Sequence, residues 1–410
     1  MNGAKWIPTM LLLTAFQLVS FAQVIFTAQG TNKVAGTILL IFIAFEWIYS
    51  IVSTLTMKQG NPAVEYVAFF LTGISLAIVT SKDTHNLKVQ FAAFAIGFAV
   101  YIILLWMLAN VERAEKFRLP MAIFAVLALF FGRILADTTN GAYNWVRIGG
   151  ISFQPSEIVK IAFIFVGAAT LEKIQTTKNI RNYVIFACIC VGLLFWMKDL
   201  GTALIFFFTF IVLAFMRSGD MRTILFTIVA AGMAAALIVL VKKNYVMNRF
   251  TTYRHIWESP YGKGMQQTRV MTYSVSGGLL GMGIGQGKLR NIFAAMEDLV
   301  FGVICEEWGL IIGFLVAVAY IVLFLYSIRN AKNSRSAFYS IASCAAGSLL
   351  LFQASLNIFG VTDLLPMTGV TLPFISKGGS STLSCWGLLA FLKAADNRTW
   401  AKTPAEIASM

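Results

Sequence analysis

Runs of about twenty apolar residues, divided by short polar connections, recur from one end of this chain to the other. A helix needs about that length to cross the hydrocarbon of a bilayer. The fold class that follows is an all-α polytopic membrane protein, with residues 1–410 forming a single integral membrane domain. About twelve spans are expected from the hydropathy pattern. They centre near Ala15, Phe45, Thr72, Val100, Val126, Ile164, Cys188, Phe208, Ala231, Phe314, Leu349 and Leu388. The first run, Ile7 to Thr27, has no clear small-residue cleavage site and reads as a retained span rather than a signal peptide. Composition agrees, because only 12% of the residues are charged, about half the share of a soluble protein.

The net charge of +14 raises nucleic acid as a partner. No basic, aromatic-interleaved soluble segment exists to bind one, so the charge is assigned to loops that face anionic lipid headgroups. Those loops are uneven. With the N-terminus in the cytoplasm, the cytoplasmic connections carry Arg113, Lys116 and Arg118; Lys173, Lys178 and Arg181; Arg217 and Arg222; and Arg329, Lys332 and Arg335. The positive-inside rule therefore puts both termini in the cytoplasm. The five cysteines lie in apolar runs without a Cys-x-x-Cys spacing, which reads as buried thiols. Two histidines, His85 and His255, are too few for His-based catalysis or a His-rich metal site.

One long polar stretch interrupts the pattern between Lys242 and Asp298. It is the long loop of residues 243–300, extracytoplasmic by the charge rule, and loops of this kind carry function. Its glycines, Gly277, Gly278, Gly281, Gly283, Gly285 and Gly287, do not fit a dinucleotide fingerprint. They read equally as a flexible connector or as an anion nest. Glu297 and Asp298 close the loop, and Glu306 and Glu307 follow in or beside the next helix. Acids inside membrane runs are functional suspects.

Two other constellations lie outside that loop. Pro155 and Ser156 fit a helix start, and Glu157 and Lys160, three apart, share a helix face and can pair. Lys198 and Asp199 sit at a tight junction where Asp199 can cap the next helix. Each admits a purely structural reading and a reading as the wall of a polar cavity. Pro366, Gly369, Pro373, Gly378 and Gly379 exclude a regular span, so residues 365–381 are expected to form a re-entrant or extended loop touching the polar site.

These motifs together resemble the SEDS family (shape, elongation, division and sporulation), the group of RodA, FtsW and SpoVE. The matching segments are Phe-Gln-Pro-Ser-Glu-x-x-Lys at 153–160, Asp-Leu-Gly-Thr-Ala at 199–203, Ser-Gly-Gly-Leu-x-Gly-x-Gly at 276–283, Asp-x-x-Phe at 298–301 with Glu-Glu-x-Gly at 306–309, and Leu-Pro-x-Thr-Gly-x-x-Leu-Pro-Phe-x-Ser-x-Gly-Gly-Ser at 365–380. The resemblance implies a core of about ten helices preceded here by two extra spans, since about five spans rather than three precede residue 153. The chain is accordingly divided into N-terminal helices at 1–117, a core at 118–394 and a cytoplasmic tail at 395–410. Lys198 stands where the family usually has proline, Lys377 where it usually has tyrosine, and Ala294-Ala295-Met296-Glu297 where a Pro-Glu usually precedes the aspartate.

The resemblance implies an inverting peptidoglycan glycosyltransferase that polymerises lipid II at the outer face of the bacterial cytoplasmic membrane. The implied partners are lipid II, the nascent glycan strand, membrane lipid and a class B penicillin-binding protein. Asp298 maps onto the family's essential aspartate and is the expected base. Candidate substrate-binding residues are Arg147, Glu157, Lys160, Asp199, Arg249, Gln266, Arg269, Gly277, Gly278, Lys288, Glu307, Ser376, Lys377 and Ser380, with Arg290 a further cation for the leaving diphosphate. A divalent cation, Mg²⁺ or Mn²⁺, could share that role, and no organic cofactor is implied. A lipid-precursor flippase and a non-catalytic scaffold for a transpeptidase are the alternative classes.

Overall fold

The computed structural model describes residues 6–26, 33–56, 61–81, 84–139, 142–148, 151–172, 177–219, 222, 225, 253–262 and 264–400. Among them the chain forms thirteen α-helices and three short strands. The N-terminal half contains α1 (Ile7–Phe26), α2 (Lys33–Thr56), α3 (Ala63–Thr80), α4 (Thr84–Leu108), α5 (Val111–Leu135), α6 (Pro155–Glu172), α7 (Thr177–Trp196) and α8 (Leu200–Ser218). After the polar stretch come α9 (Met265–Ser276), α10 (Val300–Glu307), α11 (Gly309–Lys332), α12 (Ala337–Val361) and α13 (Gly379–Ala394). Eight of these, α1 to α5, α8, α11 and α12, are long and apolar enough to cross a membrane. The expected span near Ala231, Arg249 and the tail beyond residue 400 lie outside the described residues. A boundary at 117/118 falls inside α5, whose start is set at Asn110, where the side chain accepts the Glu112 amide.

Two features depart from the sequence-based expectation. Three short strands form an antiparallel sheet, β1 (Asp137–Thr139), β2 (Ala142–Ile148) and β3 (Ile151–Phe153), with Arg147 paired to Ser152. The expected tenth span is split, because Gly309 adopts φ +86° between α10 and α11. A side chain there would run into the Leu279 carbonyl, so the chain turns at the one residue type that tolerates both constraints.

The bundle packs around α13 and α4. Trp386 of α13 is fully buried, with Phe69, Phe94, Phe98, Tyr101 and Phe374 ringed around it at 5.3–5.9 Å between centroids. Gly97 lets the helices approach, since a Cβ there would sit 3.1 Å from the Leu383 backbone. At the end of the bundle opposite the long loop, Lys393 Nζ lies 2.8 Å from Glu65 Oε1, both side chains fully buried. Tyr49 of α2 and Tyr101 of α4 donate to the same carboxylate at 2.6 and 2.7 Å, and the Asn61 carbonyl accepts from Lys393. A charge pair kept from both water and lipid has to be satisfied in this way.

The glycine run is a wrap rather than a loose connector. Its backbone follows the C-terminal end of α10, and a Cβ on Gly277 would strike the Cys305 and Glu306 carbonyl oxygens. Glu306 accepts the amides of Lys288 and Leu289 at 2.7 and 2.9 Å, and Glu307 accepts that of Gly285 at 2.9 Å. Burial pushes the Glu307 carboxyl up to about 7, against the pull of the Gly285 amide and Arg290.

Two measurements test this packing. Lys393→Met, which strands the Glu65 charge, is expected to cost about 3–5 kcal/mol in unfolding of the purified protein, with much of the loss recovered in the Glu65→Gln, Lys393→Met double variant. Glu307 gives a pH test. A carboxyl whose folded-state pKa exceeds its unfolded value contributes stability while protonated and loses it as pH rises from about 4.5 to about 7. Glu307→Gln keeps an acceptor for the Gly285 amide and removes the titration. Relative to it, the wild type is expected to lose on the order of 3 kcal/mol across that window, read from unfolding midpoints at pH 4.5 and 7.5.

Candidate active site

A cavity of about 600 Å³ opens at the end of the bundle that carries the sheet and the long loop. Six parts of the chain build it, one of them Ser152 of β3 with the adjoining Gln154. The first turns of α4 supply His85, Asn86 and Gln90; β2 supplies Asn144, Trp145 and Arg147. The α7–α8 junction supplies Lys198 and Asp199. The end of the long loop supplies Phe293, Ala294, Glu297 and Asp298, and the loop before α13 supplies Thr368, Gly369, Thr371 and Lys377.

Asp298 is half-buried in this wall. Its position is set by backbone geometry. Ala294 takes φ +57°, and its carbonyl oxygen accepts amides from Glu297, Asp298 and Leu299 at 3.2, 3.0 and 3.3 Å. A non-glycine residue in that conformation is strained and is held by its surroundings. Gln266 provides part of the hold by donating to the Phe293 carbonyl at 2.8 Å. Asn357 of α12 provides more, donating to the carbonyls of Asp298 and Val370, each at 2.8 Å. Gly369 takes φ +69°, a conformation that favours glycine, beside the carboxylate: a Cβ there would be in ordinary contact with Asp298 Oδ2 at 3.5 Å.

The 372–378 segment clamps the same stretch from the other side. Ser376 donates to the Glu297 carbonyl while accepting the Leu372 amide at 2.7 Å. The Lys377 amide donates to Met296 at 2.8 Å, and its ammonium lies 3.7 Å from Glu297. Across the cavity, Asp199 caps α8 through the Thr202 amide and accepts from Asn144 and Gln154 at 3.1 and 2.8 Å. Both readings of Asp199 therefore hold, as a helix cap and as a cavity wall. The lining carries Arg147, Lys198 and Lys377 against Asp199, Glu297 and Asp298. Lys198 takes φ +60° and stands 5.5 Å from the Tyr143 ring.

Of the residues expected from sequence, Arg147, Asp199, Lys377 and Asp298 meet at the cavity. The other described candidates are placed elsewhere. Glu157 and Lys160 pair at 2.7 Å and are buried beneath it, outside its lining, with Lys160 also bonded to Gln353 at 2.8 Å. Gln353 in turn donates to Thr371, which shares a hydrogen bond with Ser381 at 2.8 Å. Ser380 accepts the Gln154 amide, and Ser376 and Gln266 act on backbone as described. Gly277, Gly278, Lys288 and Glu307 belong to the wrap around α10, and Arg269 is exposed on α9. Arg290 reaches the Ser81 carbonyl at 2.9 Å. The sequence reading missed His85, Asn86 and Gln90. A polar residue such as Gln90 inside an apolar run was the available signal. Gln90 donates to Ser75 and Thr382 and accepts the Gly378 amide, so it ties α3, α4 and α13 together under the cavity.

Among the described residues, no three histidine, cysteine or acidic side chains gather as a protein-only metal site requires. A divalent ion shared with substrate phosphates needs one or two carboxylates, and Asp298 and Glu297 on the cavity wall fit that lesser requirement.

The chain matches the profile of the FtsW, RodA and SpoVE cell cycle proteins over residues 63–400. It is 30% identical over 321 residues to a probable peptidoglycan glycosyltransferase FtsW of Wigglesworthia glossinidia brevipalpis, covering 76% of this chain and 82% of that one. It is 30% identical over 295 residues to the stage V sporulation protein E of Bacillus subtilis, covering 68% and 79%. Its fold superimposes on a chain from a peptidoglycan synthase complex that coordinates polymerization and crosslinking, with a TM-score of 0.70 at 22% identity, covering 84% of this chain and 99% of that one. The rod shape-determining protein RodA of Thermus thermophilus superimposes with a TM-score of 0.62 at 22% identity, covering 84% and 98%. With five sequence motifs converging on one end of a helical bundle of this fold, the chain belongs to the FtsW, RodA and SpoVE family of multi-pass membrane proteins.

Proposed function

We propose that this protein is a peptidoglycan glycosyltransferase that polymerises lipid II into glycan strands, with Asp298 as its general base. The observation that carries this reading is the placement of the half-buried Asp298 carboxylate on a cavity wall that also presents Arg147, Lys198 and Lys377. Chain growth joins a sugar hydroxyl of one substrate to the anomeric carbon of another, with inversion. The hydroxyl proton goes to the Asp298 carboxylate, the new C–O bond forms, and the bond to the lipid diphosphate breaks with its electron pair on the phosphate. The three cations stabilise the charge that develops on that leaving group. Asn144 and Gln154 hold Asp199 in place on the opposite wall.

The charge asymmetry of the loops puts the cavity at the outer face, with both termini in the cytoplasm. A substrate with a polyprenyl tail then keeps the tail in lipid while its headgroup enters the cavity. A bound Mg²⁺ or Mn²⁺ would be held by Asp298 or Glu297 and would add positive charge at the diphosphate. The fold shared with a chain of a peptidoglycan synthase complex supports a crosslinking partner, which we assign as a class B penicillin-binding protein.

The deciding assay is glycan-strand formation from labelled lipid II by the purified chain, alone and with its transpeptidase. Asp298→Asn preserves shape and removes the base, and is expected to lower the rate roughly 10²- to 10⁴-fold while lipid II still binds. Polymerisation at a rate within a few fold of wild type would remove Asp298 from the mechanism. Lys377→Gln is expected to reduce kcat about ten- to a hundredfold. Loss of activity in chelator, restored by Mg²⁺ or Mn²⁺, would assign the ion, and full activity in chelator would dispense with it.

A further inference from the structure

Helices α1 and α2 precede the family profile, which begins at residue 63. A superposition over 84% of this chain accounts for 98% of the RodA chain, which fits two helices added to an otherwise complete fold. They are fastened to it at three levels. At the end away from the cavity, Tyr49 of α2 donates to the buried Glu65 at 2.6 Å. Midway, Gln17 of α1 donates to the fully buried Glu46 of α2 at 2.8 Å, and Trp47 donates to Thr14 at 3.1 Å. Gln17 also presses on α3 at Gly73, where a Cβ would come within 3.1 Å of its amide nitrogen. At the cavity end, Gln23 of α1 accepts the backbone amide of Ile284 at 3.2 Å.

The last contact joins α1 to the segment that leads into Asp298. Next to Ile284, Gly285 is bonded to Glu307; a few residues on, Glu306 holds Lys288 and Leu289, and Arg290 is bonded to Ser81 at the end of α3. Gln266 then fixes Phe293 beside the strained Ala294, whose carbonyl gathers the Asp298 amide. Each of these holds comes from the part of the chain that the family profile matches, and the Gln23 contact comes from the added helix α1. Two helices tied by buried polar contacts form a rigid strut, since a polar pair in an apolar surround has no alternative partner.

We propose that α1 and α2 act as a built-in brace for the catalytic segment, with Gln23 as a positioning residue that orders residues 283–291 and through them Asp298. The inference rests on the glycosyltransferase reading for its kinetic consequence but not for its structural one. Gln23→Leu removes the acceptor from an exposed position without opening a cavity, and Gln23→Glu restores an acceptor.

The experiment compares wild type, Gln23→Leu and Gln23→Glu in full-length protein, by amide hydrogen exchange across 283–291 and by lipid II polymerisation. Gln23→Leu is expected to speed exchange at Ile284 and its neighbours and to lower kcat roughly three- to tenfold, with KM for lipid II and the unfolding midpoint unchanged. Gln23→Glu is expected to match wild type in both. Unchanged exchange in Gln23→Leu overturns the brace. So does faster exchange with an unchanged kcat, because the segment would then be ordered without positioning Asp298. If the wild type forms no polymer, the glycosyltransferase reading fails, and the exchange result alone decides whether α1 orders the segment.

Discussion

Backbone that leaves a helix inside a membrane protein must find its hydrogen-bond partners within the protein, because lipid offers none. The site depends on how this chain meets that requirement. The non-helical segment before α13 is served by side chains from neighbouring helices. Gln353 donates to the Thr371 carbonyl, Tyr320 to Pro373, and Asn357 to Val370. Asn357 spends its second donor on the Asp298 carbonyl. One amide side chain thus solves the problem for two irregular segments, and in doing so brings Asp298 against the loop that carries Lys377.

The same economy explains why polar residues that look like substrate ligands in the sequence turn out to be ligands of backbone. Ser376, Ser380, Gln266, Glu306 and Glu307 each bond a main-chain group. Their chemistry suits a substrate equally well, and only their neighbours distinguish the two roles. Lys160 and Glu157 are the extreme case. They are almost wholly buried, and their energy goes into joining α6 to Gln353 of α12 below the cavity floor. Lys198 and Lys377, by contrast, line the cavity itself.

Among the described residues, five that are not glycine take left-handed backbone conformations, and two of them line the cavity. Lys198, Ala294 and Phe374 all take left-handed backbone conformations without being glycine. Lys198 and Ala294 line the cavity, and Phe374 packs on the buried Trp386. The Ala294 carbonyl gathers three amides, Lys198 stands beside the Tyr143 ring and Phe374 packs on Trp386, so hydrogen bonds and packing hold these conformations. A rigid scaffold of this kind fixes charge before substrate arrives, which is how preorganised electrostatics assists a reaction.

Long apolar runs determined the membrane class and most of the helices, because hydropathy over about twenty residues is a local property. The helix start at Pro155, the Glu157–Lys160 pair, the cap at Asp199 and the irregular loop around residues 365–381 were equally legible. Each depends on residues a few positions apart. Asp298 stood out as an acid closing the one long polar stretch. The small sheet, the break at Gly309, the wrap of the glycines around α10 and the entry of α4 into the cavity wall were not legible. They arise from contacts such as Gly378 to Gln90 and Ile284 to Gln23, between residues far apart in the chain. The sequence by itself determined which segments enter the membrane and which residues can carry charge. Only the tertiary structure decided which of those charges face an open cavity and which are consumed in holding backbone, because that choice is made by neighbours that spacing along the chain does not specify.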